Sequence, residues 1–104
     1  MSAVEGALPG LSDFSSEIGS TFSFTREGES FDARLESVDE IVSNPTQTNF
    51  SVLFVTTNDG VTAEQGIFNV RNDNLRPMDL FLVPISRDEQ GLCFEAVFNY
   101  AHPA

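Results

Sequence analysis

Two hairpin-like stretches of alternating residues, together with a chain rich in phenylalanine, predict an all-β fold: a small antiparallel six-stranded sandwich or barrel with one short N-terminal helix. The first stretch, Thr21 to Leu35, places apolar side chains at every second position on either side of a Gly-containing turn. The second, Met78 to Tyr100, does the same around Arg87-Asp88-Glu89-Gln90-Gly91. Ten Phe against no Trp and one Tyr supply bulky rings that suit pleated strands better than helices. At 104 residues the chain is one domain, large enough to remove roughly 65% of its unfolded surface from water without a disulfide.

The expected organisation is an extended segment over 1–10, a single β domain over 11–100 and a tail over 101–104. Leu8-Pro9-Gly10 breaks early structure, and Ser12 then stands as an N-cap before Phe14 and Ile18, with Gly19 as the stop. The spacing predicts a helix over 12–18 whose Leu11, Phe14 and Ile18 form one apolar side. In the first hairpin, Phe24 should face Phe31 and Phe22 should face Ala33, while Asp32, Arg34 and Glu36 point to water. Residues 37–44 read as a strand end and loop, since Pro45 soon follows. Phe50 to Thr56 is apolar on both faces and should be a central, twice-covered strand, and Gly66 to Arg71 a shorter one.

For the closing hairpin, a turn over Ser86 to Gly91 sets Ile85 opposite Leu92, Val83 opposite Phe94 and Phe81 opposite Ala96. That register places Phe81 and Val83 in the core with Phe22, Phe24, Phe31, Leu35, Val52, Phe54, Phe68, Phe94 and Phe98. It leaves a second apolar face of Leu80, Leu82, Cys93 and Val97, interrupted only by Pro84 and Glu95, that something must cover. Leu80, Leu82, Pro84, Glu95 and Val97 are therefore the expected interface. Pro84, which lacks an N–H, implies a bulge or an edge in its strand.

The phrase FLVPISRDEQG followed by FEAVFN resembles the C-terminal signature of a family of small uncharacterised bacterial proteins found near phage-tail-type collar and fibre proteins. The resemblance spans about Phe14 to Asn99, is sharp over Leu80 to Asn99, and departs at Phe94, where the family pattern has Tyr. It implies an aromatic-rich first strand, a central strand and this closing hairpin, and it carries no catalytic residue. It points to a structural, tail-related role.

Acidic residues outnumber basic ones 16 to 5, all five basic residues are Arg, and the net charge is −11. Such a field repels phosphate and disfavours nucleic acid and anionic membranes as partners. The first ten residues lack a basic start and a long apolar run, so synthesis is expected to end in the cytoplasm without a signal peptide, with later release or incorporation into an extracellular or phage-like assembly left open. The sole histidine, His102, and the sole cysteine, Cys93, make a poor catalytic pair, and no serine sits in a nucleophile elbow. Asp39-Glu40, Asp88-Glu89 and Asn72-Asp73-Asn74 lack calcium-loop spacing and read as solvated turns. The expectation is thus a non-enzymatic assembly protein without cofactor or metal, whose partner is a copy of itself or a tail or fibre component. A small-ligand-binding barrel is the alternative, with the Phe-rich interior as its pocket.

Overall fold

The computed structural model describes residues 10–58 and 60–101. It contains one helix, α1 (Leu11–Ser15), and six strands: β1 (Thr21–Arg26), β2 (Glu29–Asn44), β3 (Gln47–Thr56), β4 (Gly66–Asn72), β5 (Leu75–Asp88) and β6 (Gly91–Ala101). All pairings are antiparallel, and the sheet closes on itself in the order β1-β2-β3-β6-β5-β4, with β4 returning to β1. The expected all-β fold is therefore a closed barrel. Closure removes the free edges that a six-stranded open sheet would leave to neighbouring chains.

Period-two alternation fills the interior. Phe22 and Phe24 of β1, Phe31, Ala33 and Leu35 of β2, Phe50, Val52 and Phe54 of β3, and Phe94, Ala96 and Phe98 of β6 all point inward and are buried. Nine of the ten Phe lie in this core, and their rings meet edge-on or offset: Phe24 to Phe54 at 4.9 Å, Phe22 to Phe54 at 5.1 Å, Phe50 to Phe98 at 4.8 Å. One barrel end is plugged by α1, whose Phe14 meets Phe98 at 5.1 Å and Phe50 at 6.0 Å. The other is capped by Val61, buried in the connection after β3 and held by Arg87, whose Nη2 donates to the Val61 carbonyl at 3.3 Å.

The first hairpin adopts the expected register, Phe24 with Phe31 and Phe22 with Ala33. Its two central residues, Glu27 and Gly28, both have positive φ, 48° and 84°, as a twist-matched two-residue turn requires. The helix is shorter than expected. It starts after Gly10, whose N–H donates to the Asp13 carboxylate at 2.9 Å, so Ser12 is inside the helix and not its cap. Gly19, at φ 94°, ends the turn that follows α1, and Ile18 is exposed, so only Leu11 and Phe14 of the expected stripe pack on the core.

Residues 37–44 are strand and not loop. β2 runs on to Asn44 and pairs with β3 through two register shifts, at Leu35/Ser37 and Glu40/Val42. Each bulge resets the inward parity, which is why the stretch shows no clean alternation in sequence.

The closing hairpin has a different register from the expected one. The loop is only Glu89-Gln90, because Asp88 pairs with Gly91, and a bulge at Ile85 separates Pro84/Phe94 from Ser86/Cys93. Val83 consequently pairs with Glu95, not Phe94. A one-residue slip exchanges the two faces of a strand. Leu80 and Leu82 are buried in the barrel with Met78, whereas Phe81 is 52% exposed and Val83 lies half-buried on the outside. The expected core positions Phe81 and Val83 and the expected interface positions Leu80 and Leu82 are thus corrected by the same shift. Pro84, half-buried, stands at the irregularity its missing N–H foretold.

Candidate functional site

Outward parity on β4, β5 and β6 assembles an apolar surface that the barrel does not need for its own core. Ile67 of β4 pairs with Phe81 of β5, and both face solvent, 62% and 52% exposed. Val97 of β6 is 53% exposed and Ile85, at the bulge, 49%. Glu95 sits among them, with Val83 as its cross-strand neighbour on one side and half-buried Leu53 on the other. Phe81 is the only Phe outside the barrel.

A cleft crosses this surface. β5 and β6 pair only from Val83/Glu95 to Asp88/Gly91, so toward the helix-plugged end the two strands part. β5 then keeps its bonds to β4, and β6 keeps its bonds to β3 as far as Ala101. The opening is a slot of about 440 Å³ walled by Asp79 and Phe81 on one side and by Glu95, Val97, Asn99 and Tyr100 on the other. Phe14 of the plug packs against Phe98 of β6 at this end of the barrel.

Two carboxylates flank the slot. Asp79 accepts from Asn69 Nδ2 at 3.2 Å, and Glu95 lies beside Val83. Among the described residues neither forms an ion pair; the pairs are Arg26 with Glu64 at 3.3 Å and Arg34 with Glu36. Arg71 donates instead to Asn69 Oδ1 at 3.1 Å, so it does not serve Glu95. At the foot of the slot, Tyr100 packs edge-on against Phe50 at 5.7 Å and Phe98 at 6.0 Å. Burial, and secondarily the Asp13 carboxylate, push its hydroxyl up to about 12.

Of the sequence-derived interface, Glu95 and Val97 are on this surface, Pro84 borders it, and Leu80 and Leu82 are beneath it in the core. Ile67, Phe81 and Ile85 are the members that the sequence reading missed. Their signal was the parity of polar residues: Asp79 one pleat before Phe81, and Asn69 one pleat after Ile67, mark the wet face of each strand. Cys93 is half-buried between Val55 and Ser86 in the pairing, and His102 lies outside the described residues, as do residues 1–9 and 102–104 of the expected terminal segments. The acidic stretches considered for calcium do not converge: among the described residues no group of three or more metal-ligating side chains forms. Among the described residues no helix is long and apolar enough to cross a membrane.

No curated protein and no solved structure matches this chain closely enough to count as a relative. A family model does match, over residues 9–98, which takes in the plug helix, strands β1 to β5 and β6 as far as Phe98. The chain belongs to that family, described as a domain of unknown function (DUF6916).

Proposed function

We propose that this protein is a non-enzymatic assembly module that binds another protein chain through the outer face of β4, β5 and β6. The observation that carries the reading is the contiguous surface of Ile67, Phe81 and Val97, each more than half exposed, with a phenylalanine at its centre that the core does not use. Glu95 and the slot give that surface polar and backbone groups with which to fix an orientation. A tail- or fibre-type assembly is the setting that the resemblance of the closing hairpin implies, with another copy of the chain or a tail component as the partner.

The ligand-binding alternative requires room inside the barrel. The described interior is occupied by rings in mutual contact, among them Phe24, Phe31, Phe54, Phe68 and Phe94, so the space such a ligand would take is filled by side chains. The reading as a non-enzyme is supported by the neighbours of Cys93, which are Val55 and Ser86 across the ladders and not a general base.

The test is association of purified protein, followed by light scattering and by pull-down of purified tail and fibre components. Ile67→Lys combined with Phe81→Lys should abolish the complexes formed by the wild type while leaving the circular dichroism and melting temperature nearly unchanged, because both side chains are on the outside. A wild type that stays monomeric and captures none of these components, or a double variant that associates as before, refutes the proposal.

A further inference from the structure

Glu95 is an outward residue of β6, and each of its four neighbours on that face is apolar: Leu53 and Val83 across the two ladders, Cys93 and Val97 two residues away along the strand. Resting on the assembly reading above, we infer that this carboxylate sets the choice of partner. The face accepts a different protein that presents an Arg or Lys among apolar side chains, pairs that cation with Glu95, and rejects a second copy of this chain.

The fold gains little from a carboxylate at this position. Glu is poorly suited to a strand whose neighbouring side chains are apolar, and its neighbours already leave it half-buried. Among the described residues no cation pairs with it: the ion pairs are Arg26 with Glu64 and Arg34 with Glu36, while Arg71 donates to Asn69 and Arg87 to the Val61 carbonyl.

Covering the face changes what Glu95 costs. A partner seated on Phe81, Val83 and Val97 takes the carboxylate out of water, and an ionised group buried without a counter-charge is far more costly than one at a wet surface. A purely apolar partner therefore meets a penalty in the middle of its contact. An Arg or Lys opposite Glu95 removes that penalty, and its charge-assisted hydrogen bonds fix how the two surfaces are oriented.

A second copy fails this condition. Two copies meeting through the same face form a two-fold contact in which equivalent patches oppose each other, so a residue in the middle of the patch lies near its own equivalent. Two carboxylates would then meet in a drying interface. The net charge of −11 on each copy adds repulsion at longer range. A partner with a basic, apolar surface reverses both effects.

Sedimentation velocity on the full chain tests this, with the Glu95→Arg variant serving as a partner of the stated chemistry, the same apolar face carrying a cation. Wild type and Glu95→Arg should each remain monomeric at low ionic strength, and their mixture should form a complex at least about tenfold tighter than either forms with itself. Sodium chloride should weaken that complex, and Phe81→Lys in the wild-type member should abolish it. Glu95→Val should gain self-association that Phe81→Lys again removes; if Glu95→Val does not fold, Glu95→Gln carries the same comparison. A mixture no tighter than wild type alone overturns the pairing with a cation, as does a complex that survives Phe81→Lys. Removal of the carboxylate without any gain in self-association overturns the exclusion of copies. If wild type self-associates as tightly as the mixture, and Ile67→Lys with Phe81→Lys abolishes it, the partner is a copy: the inference falls and the assembly reading stands. If no pair of these proteins associates and the wild type captures no tail or fibre component, both fall.

Discussion

Three residues show how much single positions decide here. Gly91 closes the β5–β6 turn at φ 133°, and a Cβ there would fall onto the Thr56 carbonyl oxygen of the adjacent strand. Backbone strain and the close approach act together, so Gly91→Ala should lower stability by about 2–3 kcal/mol in urea unfolding. Phe94 touches Phe31 at 5.8 Å and Phe68 at 6.1 Å in the barrel centre, and Phe94→Ala should cost about 3–5 kcal/mol by the same measurement. Tyr100 is the sole tyrosine, so its ionisation can be followed by tyrosinate absorbance without overlap. Its hydroxyl should titrate near 12 in the folded protein, against 10.0 for an unperturbed tyrosine. Because the folded pKa is the higher one, the stability linked to this proton is present in full below about pH 10 and is lost as pH rises from there through 12. Asp13→Asn should lower the titration point only slightly, since burial is the larger cause.

At the scale of elements, what was legible in the sequence depended on whether parity survived along the strand. β1 and the first half of β2 alternate without interruption, and their register could be read from Phe22, Phe24, Phe31 and Ala33 alone. Bulges after Leu35 and Glu40 hid the second half of β2, and the bulge at Ile85 hid the register of β5 against β6. A bulge adds one residue to one strand, so a constant pairing offset fails across it, and nothing in a single sequence marks its position unless a proline does. Pro84 was that mark, and it announced an irregularity but not which face would turn inward. The slot was not legible at all, because it follows from where the pairing of β5 with β6 stops, at Val83/Glu95, and no local pattern marks that point. The face assignment can be tested directly. Leu82→Asp places a charge in the core and should unfold the protein or cost more than about 4 kcal/mol, whereas Phe81→Asp, one residue away, should stay within about 1 kcal/mol of wild type. Equal effects in the two variants would show that the strand does not present distinct faces.

For the whole molecule, the balance lies between a well-filled barrel and a net charge of −11 spread over its surface. The rings of the interior interlock, with Phe24, Phe31, Phe54, Phe68 and Phe94 forming a continuous set of contacts that spans five strands and draws the closed sheet together. Outside, the described ion pairs are two, both between exposed or partly exposed groups, so they offset little of the mutual repulsion among 16 carboxylates. Folding gathers those carboxylates at closer spacing than the unfolded chain does, and that repulsion opposes the compact state. Salt should therefore stabilise this protein. Raising ionic strength from about 0.01 M to about 1 M shortens the screening length from about 30 Å to about 3 Å. Relief of about 1 kcal/mol would raise the melting temperature of a domain this size by about 4–8 °C. Sodium chloride is the right salt for the measurement, since sulfate would also strengthen apolar burial and confound the two effects. The same screening should permit copies of the chain to approach one another through Phe81. A melting temperature that stays flat or falls across this range would mean that the surface charge is already compensated in the folded state.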